Sequence, residues 1–109
     1  MEKIVQKNAQ GGRGEVILEK LLDAKQLNGK CGMYARVTIP AGSSLGYHTH
    51  RGDAESYYVL SGQGVYDDDG TKRVVKAGEL TYTGDGHSHG FDNTEGTEDL
   101  VFMALIIKS

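Results

Sequence analysis

Glycine is the feature of this sequence that most limits what the chain can fold into. There are 16 glycines among 109 residues, about 15% where about 7% is typical of globular proteins. They recur along the whole chain and leave few intervals long enough for a full helix. Short segments between turns are typical of β-strands, so the sequence predicts an all-β protein with many tight corners.

The segment from Gly32 to Pro40 shows the clearest strand pattern. Apolar and polar residues alternate there with a period of two, as expected for a strand with one buried face. Arg36 lies on the polar parity, and we therefore place it on the outer face. The apolar parity predicts core positions at Met33, Ala35, Val37 and Ile39.

A β-hairpin is predicted in the middle of the chain. Tyr57 to Leu60 is a strand candidate, and two further runs, 64–66 and 73–76, follow it. Three aspartates and Gly70 join these two runs, and Asp-Gly between strand-like runs is a strong hairpin signal. The aspartates lack the ligand spacing of a calcium loop, so we interpret them as turn residues.

Two other segments bear on the architecture. Residues 15–27 fit either period in part, and we favour a strand followed by a turn. The last run, 99–107, is apolar at both parities, which indicates a strand covered on both faces. Six or more short strands at regular spacing predict a closed barrel or a two-sheet sandwich.

Composition and charge exclude several classes of protein. The balance of 12 basic and 15 acidic residues argues against the basic face that nucleic-acid binding requires. No apolar run approaches the roughly 18 residues of a membrane span, and the first ten residues lack the apolar stretch of a signal peptide. Cys31 is the one cysteine and cannot form a disulfide within the chain. We expect one cytoplasmic domain over residues 1–109 without nucleic-acid or membrane partners.

All four histidines lie between positions 48 and 89, and three of them suggest a common site. His48 and His50 are two apart, so on a strand both imidazoles project from one face. Glu55 follows a short bend and can return a carboxylate to the same point, and Asp53 is the alternative carboxylate. His89 can arrive from a separate strand. A His-x-His pair by itself is more often an inert loop feature, so the other residues carry the hypothesis.

Three neutral imidazoles and one carboxylate form a typical ligand set for a transition metal. Such a set suits manganese, iron, nickel, copper or zinc and leaves one or two coordination positions open. A structural zinc site would instead close all four positions, typically with cysteines. The sequence therefore predicts one divalent transition-metal ion with room for a small-molecule ligand.

Two spaced motifs connect the chain to a known family. The pattern G(X)5HXH(X)3,4E(X)6G is matched over 42–62 by Gly42, His48, His50, Glu55 and Gly62. The pattern G(X)5PXG(X)2H(X)3N is matched over 78–93 by Gly78, Gly86, His89 and Asn93, with Gly84 at the proline position. The sequence resembles the cupin superfamily, specifically the small single-domain conserved-barrel cupins.

This resemblance implies a single-domain jelly-roll β-barrel that holds a metal ion inside. The ligands it carries over are His48, His50, Glu55 and His89, which favours Glu55 over Asp53. It also implies a homodimer, and the doubly apolar final strand would fit either a partner subunit on its outer face or a flanking sheet of the same chain. Glycine in place of proline at position 84 removes a fixed φ and is expected to loosen the turn before His89.

Three residues beside the motif positions are candidates for the substrate pocket. Tyr57 shares the face of Glu55, so it either binds substrate or packs in the core. Tyr47 has a weaker claim, and His87 is either a base near the metal or a loop residue at the pocket mouth. Our leading interpretation is a metal-dependent enzyme of dioxygenase, decarboxylase or isomerase type acting on a small, polar, oxygen-rich molecule. The alternative is a non-catalytic module that binds a metal or small ligand for sensing or storage.

Overall fold

The computed structural model describes residues 1–109, and nearly all of its regular structure is antiparallel β-strand. Two short helical segments interrupt the strands, a 3-10 turn at Ala9–Gly11 and one α-helix, α1, at Ala24–Leu27. The strands are β1 (Glu2–Lys7), β2 (Glu15–Lys20), β3 (Cys31–Ile39), β4 (Ser44–Thr49), β5 (Asp53–Ser61), β6 (Gln63–Asp68), β7 (Thr71–Lys76), β8 (Leu80–Thr83), β9 (Ser88–Asp92) and β10 (Leu100–Lys108).

The strands form two sheets. A six-stranded sheet has the order β1-β2-β3-β10-β5-β8, and a four-stranded sheet has the order β4-β9-β6-β7. The two sheets form a jelly-roll-like sandwich, which confirms the predicted all-β jelly-roll class. The final strand, β10, lies in the middle of the six-stranded sheet between β3 and β5, so the fold is completed only when the last residues are in place.

The hydrophobic core lies between the sheets and is rich in aromatic rings. Tyr57 from β5 packs on Phe102 from β10 with ring centroids 4.4 Å apart, and Phe91 from β9 lies 5.2 Å from Phe102. Each such side chain, fully buried, stabilises the fold by about 1.5–3 kcal/mol relative to an exposed one. These rings join the two sheets directly beneath the region where the histidines lie.

The alternation predicted for β3 is confirmed. Ala35, Val37 and Ile39 are buried, whereas Arg36 is exposed. The Arg36 guanidinium donates a hydrogen bond of 2.6 Å to Glu19 Oε2 on the neighbouring strand β2. Arg36 therefore belongs to the outer surface, as expected, and takes no part in the interior.

The predicted hairpin is present as β6 and β7. Asp68 pairs with Thr71, so the connection has two residues, Asp69 and Gly70, with φ of 52° and 93°. Positive φ at both positions is the type I′ turn that suits the twist of paired strands. The Gly70 N–H donates to Asp67 Oδ1 at 2.8 Å. The aspartates therefore serve as turn residues here.

Residues 15–27 fold as the predicted strand, β2, but α1 follows the turn. Asp23 accepts a hydrogen bond from the Gln26 N–H at 2.8 Å, and the Gln26 side chain accepts one from the Asp23 N–H at 3.0 Å. This reciprocal pair is a capping box. The Asp-x-x-Gln spacing was therefore a readable signal for this short helix.

The final strand is covered on one face only within a single chain. Leu100, Phe102 and Ala104 are buried against the core, which agrees with the prediction for that parity. The other parity, Val101, Met103 and Leu105, is only partly buried. The expectation of cover on both faces is thus wrong for the single chain, because no second layer of this chain packs on the outer side of the six-stranded sheet.

The 3-10 turn after β1 packs very closely on β4. A Cβ atom on Gly46 would lie 2.0 Å from the backbone oxygen of Gln10, and one on Gly12 would lie 2.2 Å from the oxygen of Ser44. No side chain fits at such separations, so both glycines are required by contact rather than by φ. This contact holds the N-terminal segment against the strand that carries His48.

No helix in this chain combines the length and the apolar character that crossing a bilayer requires.

Candidate metal centre

The fold brings His48, His50, Glu55 and His89 together between the two sheets. His48 on β4 lies directly opposite His89 on β9 in the strand register. Glu55 comes from β5 in the other sheet, and His50 follows the end of β4. The ligand atoms of the four side chains all lie within 4.8 Å of one another.

His50 reaches the cluster by a route that strand alternation describes only in part. β4 ends at Thr49, so His50 is one residue beyond the strand. Its N–H donates to His87 O at 2.9 Å, and its carbonyl accepts from the Gly86 N–H at 2.8 Å. These backbone bonds anchor His50 to the 86–87 segment, and the chain then bends at Arg51 and Gly52, where Gly52 has a φ of 82°, before it enters β5.

The Nε2 atoms of the three imidazoles converge on one point. His89 Nε2 lies 2.9 Å from His50 Nε2 and 3.2 Å from His48 Nε2. Glu55 Oε1 is 3.1 Å from His50 Nε2 and 3.2 Å from His89 Nε2. Four electron-rich atoms are therefore held at hydrogen-bonding separations.

The Nδ1 atom of each of the three imidazoles contacts a different kind of group. His48 Nδ1 donates to the Gly46 carbonyl at 2.8 Å, and His50 Nδ1 donates to Asp53 Oδ1 at 2.7 Å. His89 Nδ1 lies 2.7 Å from the Tyr66 hydroxyl. A carbonyl and a carboxylate can only accept, so neutral His48 and His50 must carry their proton on Nδ1 and present a lone pair at Nε2.

This donor set fits a divalent transition metal. Lone pairs about 3 Å apart repel each other. A cation bound between them offsets this repulsion, because the imidazole nitrogens and the carboxylate oxygen then coordinate it. Burial, together with the nearby His89 and His50, lowers the pKa of His48 despite its hydrogen bond to Gly46. The lowered pKa keeps His48 neutral, which is the form that binds a metal.

Tyr57 lies beside the cluster as its sequence position suggested. The Tyr57 hydroxyl donates to Glu55 Oε1 at 3.2 Å and lies 3.5 Å from His89 Nε2. Burial and the adjacent Glu55 carboxylate raise the pKa of Tyr57 well above its ordinary value. Tyr57 therefore stays protonated and acts as a fixed hydrogen-bond donor at the wall of the site, while its ring packs in the core.

An open cavity of about 420 Å³ begins at the cluster. His48, His50 and Glu55 line it on one side, with Tyr57 beside them. Its polar wall adds Gln6, Gln10, Thr49, Arg51 and Asp53, and its apolar wall consists of Val16, Leu18, Met33, Val37, Leu45, Phe102 and Ile106. Arg51 is the one cationic side chain among these lining residues.

Tyr47 and His87 do not line this cavity. Tyr47 precedes His48 on β4, so strand alternation turns its side chain to the opposite face, where it is 52% exposed. His87 precedes β9, and its exposed imidazole pairs with the Asp69 carboxylate. The Ser88 N–H and then this imidazole lower the pKa of Asp69. His87 thus lies outside, as the loop interpretation expected, and approaches the site only through its carbonyl, which binds the His50 N–H.

Sequence reasoning missed the residues that hold the imidazoles. Asp53, the alternative carboxylate ligand, is instead the partner of His50 Nδ1. Tyr66 and Thr83 contact His89 Nδ1 and received no assignment. Tyr66 shares the buried face of β6 with Gly64, while the apolar Val65 is exposed, so alternation of apolar residues does not point to Tyr66. Thr83 could be placed only by the pairing of Thr83 with Glu55 between β8 and β5.

Gly84, at the proline position of the second motif, lies in a well-anchored turn. The His87 N–H donates to Gly84 O at 3.1 Å, and Gly86 adopts a φ of 83°. The Asp85 carboxylate accepts from the Gly52 N–H at 2.9 Å and from Ser109 Oγ at 3.1 Å. These bonds hold the turn without proline, and the loosening expected from Gly84 stays a prediction.

Comparison with known families agrees with this geometry. Residues 35–106 match the family model described as the Cupin domain. This match covers more than half of the chain and includes all four residues of the cluster. The chain belongs to the cupin family.

One sequence match and one structural match come from Thermotoga maritima. The chain is 44% identical over 100 residues to an oxalate-binding protein, spanning 92% of this chain and 82% of that protein. It is also similar to the crystal structure of a predicted oxalate decarboxylase, with 40% identity, a TM-score of 0.94, and coverage of 100% of this chain and 94% of the other. The structure of KdgF from Halomonas sp. shares the fold at 17% identity, with a TM-score of 0.74 and coverage of 97% and 86%.

Proposed function

We propose that this cupin holds one divalent transition-metal ion through His48, His50, Glu55 and His89 and binds oxalate or a close dicarboxylate analogue beside it. The convergence of three Nε2 atoms and one carboxylate oxygen, at separations of 2.9–3.2 Å, carries the proposal. The similarity to an oxalate-binding protein supports the choice of ligand. When bound, the ion supplies positive charge and open positions for carboxylate oxygens.

The cavity offers complementary groups for the rest of a dicarboxylate. Gln6 and Gln10 line it with side-chain amides, and Arg51 lines it with a guanidinium. Guanidinium and amide N–H groups donate hydrogen bonds, and arginine binds carboxylates in a bidentate manner. We assign these residues to the carboxylate remote from the ion, while the Tyr57 hydroxyl donates to Glu55 and holds that ligand in place.

The titratable groups of the cavity favour binding over turnover. General acid–base catalysis is most effective when a group has a pKa close to the working pH. Among the cavity groups besides the four ligands, Asp53 is engaged by His50 Nδ1, and burial keeps the Tyr57 phenol protonated. Arginine remains a cation. The cavity thus presents fixed donors, and decarboxylation is the second candidate, suggested by the description of the similar crystal structure.

Calorimetric titration with oxalate tests the proposal. We expect one oxalate per chain to bind the Co²⁺-loaded or Mn²⁺-loaded protein, and heat of binding to disappear after the metal is removed with a chelator. Acetate, which lacks the second carboxylate, is the matched control ligand and should bind at least about tenfold more weakly, a difference of about 1.4 kcal/mol.

Equal binding of oxalate to loaded and metal-free protein would contradict the proposed site. Equal affinity for acetate and oxalate would contradict the assignment of the remote carboxylate to Gln6, Gln10 and Arg51. Formate production from oxalate during the titration would replace binding by decarboxylation as the function.

We also propose that a second copy of this chain covers the outer face of the six-stranded sheet. Met103 on β10 pairs with Tyr58 on β5, which pairs with Leu80 on β8. Tyr34 pairs with Leu105 on the other side of β10. Tyr34, Tyr58 and Leu80 are exposed, so this row is an apolar strip on the surface, of the kind that marks protein interfaces. A homodimer with a twofold axis near β10 would bury the strip on both copies.

Light scattering coupled to gel filtration measures the oligomeric state. We expect the wild-type chain to elute as a dimer and Met103→Glu to elute as a monomer, because two glutamates would meet at the interface. Val74→Glu is the matched control, since Val74 is exposed on β7 of the other sheet and should leave the dimer intact. A monomeric wild-type protein would refute this proposal.

A further inference from the structure

A pair of buried hydroxyl groups lies behind His89 on the side away from the cavity. The Tyr66 hydroxyl lies 2.7 Å from His89 Nδ1, and Thr83 Oγ1 lies 2.9 Å from the same atom. The two hydroxyls are 2.5 Å from each other. All three side chains are buried, so water does not compete for these hydrogen bonds.

His89 differs from the other two imidazoles in what these partners can do. The Gly46 carbonyl and the Asp53 carboxylate can only accept, so each fixes one tautomer of its histidine. A hydroxyl can either accept from Nδ1 or donate to it. When one of the two hydroxyls donates its proton to the other, its own oxygen stays free to accept a hydrogen bond from His89 Nδ1.

We infer that Tyr66 and Thr83 are positioning residues for His89: when Nε2 binds the metal, Nδ1 carries the proton, and the hydroxyl pair accepts that N–H and holds the ring in place. This inference rests on the proposed metal centre. The hydroxyl pair also fixes the ring plane, since both acceptors lie on the Nδ1 edge. The stacked Tyr57 ring, with its centroid 5.0 Å away, limits tilting of the imidazole.

The three histidines differ in the chemical type of their Nδ1 partner. A carboxylate partner makes its imidazole a more basic ligand than a neutral partner does. His50 thus has a carboxylate partner, whereas the orientation of His89 is fixed by hydroxyls from two different sheets. Tyr66 belongs to β6 in the four-stranded sheet and Thr83 to β8 in the six-stranded sheet.

Two double variants that differ by one hydroxyl group test the inference. Tyr66→Phe with Thr83→Val removes both acceptors, whereas Tyr66→Phe with Thr83→Ser retains one. Tyr66→Phe preserves the ring that packs on Phe91 with centroids 5.3 Å apart. We expect the valine variant to bind Co²⁺ about 10–100-fold more weakly than wild type in a competition titration, the usual loss when a partner of a metal-ligating histidine is removed. The serine variant should recover most of that loss.

The visible absorption of bound Co²⁺ separates positioning from a general structural effect. Reorientation of one imidazole should shift the ligand-field bands of the valine variant, whereas the serine variant should retain the wild-type spectrum. Thr71→Val, a change of the same kind at an exposed position of β7, is the control and should alter neither affinity nor spectrum. Thermal melts of the metal-free proteins correct for any loss of folded protein.

The outcomes distinguish this inference from the metal centre itself. Wild-type affinity and an unchanged Co²⁺ spectrum in the valine variant would overturn the role of the hydroxyl pair and leave the metal centre standing. Equal weakening in the serine and valine variants would assign the loss to packing and also overturn it. A wild-type protein that binds no Co²⁺ would overturn both proposals.

Discussion

Replacing His89 with alanine is expected to reduce the bound metal from about one ion per chain to nearly none. His89 Nε2 lies within 3.2 Å of His50 Nε2, His48 Nε2 and Glu55 Oε1, so it is the central member of the cluster. Its loss leaves two imidazoles and a carboxylate with no ligand from β9. Elemental analysis of the purified protein measures this directly.

His87→Ala is the matched control for that experiment. The residue lies two positions earlier, carries the same side chain, and faces solvent beside Asp69. It should retain the wild-type metal content. Because His89 is completely buried, its truncation also leaves a cavity, so the half-buried His48→Ala is the second variant and should lose most of the metal as well. Full metal content in both His48→Ala and His89→Ala would refute the centre.

Gly46→Ala is expected to cause the largest loss of stability among the substitutions proposed for this chain. The added Cβ would lie 2.0 Å from Gln10 O. The other atoms nearest to it, Gln10 C and Gly12 N, also belong to the backbone, so no flexible side chain can move away. Overpacking of this kind typically costs about 1–3 kcal/mol and more where the backbone must shift. In a domain of this size, about 3 kcal/mol corresponds to a fall in Tm of about 10 °C or more. Thermal or denaturant unfolding measures it.

Gly29→Ala separates this contact from the intrinsic effect of adding a methyl group to glycine. Gly29 has a φ of 67° and open space around it, so alanine there suffers only the left-handed backbone penalty of about 1 kcal/mol. Gly46 has no such φ, and its cost is entirely steric. Comparable losses in the two variants would show that the 3-10 turn does not rest on β4 as described. Displacement of the turn should also weaken oxalate binding, since Gln10 lines the cavity.

Local patterns were sufficient to predict much of the fold. Alternation identified β3 and its buried face, and Asp69-Gly70 identified the β6–β7 hairpin, because both depend on neighbouring residues. The pairing of β10 between β3 and β5 depends on contacts remote in sequence, which no local pattern records. The sequence does not identify what covers the outer face of β10, for a related reason. Its apolar outer parity is typical of an interface as well as of an interior, and periodicity does not distinguish them.

The candidate site, like the fold, could be predicted from the sequence only in part. The motif spacing placed His48, His50, Glu55 and His89 in one cluster, because these residues are themselves the pattern. The partners of the imidazoles follow no such spacing. Gly46 contributes a carbonyl, which any residue could supply, and Tyr66 reaches His89 only because β6 and β9 are neighbours in the sheet. Predicting them requires the register of the strands.

The distribution of the cluster over both sheets has a mechanical consequence. His48 and His89 belong to the four-stranded sheet and Glu55 to the six-stranded sheet, so an ion held by all three acts as a cross-link between the layers. A chain with a single cysteine has no disulfide to do this within itself. Ligand binding to the folded state adds RT ln(1 + [L]/Kd) to the free energy of unfolding. The metal-bound protein would therefore resist separation of its two sheets. Loss of the ion would weaken the contact between the sheets where the aromatic core lies.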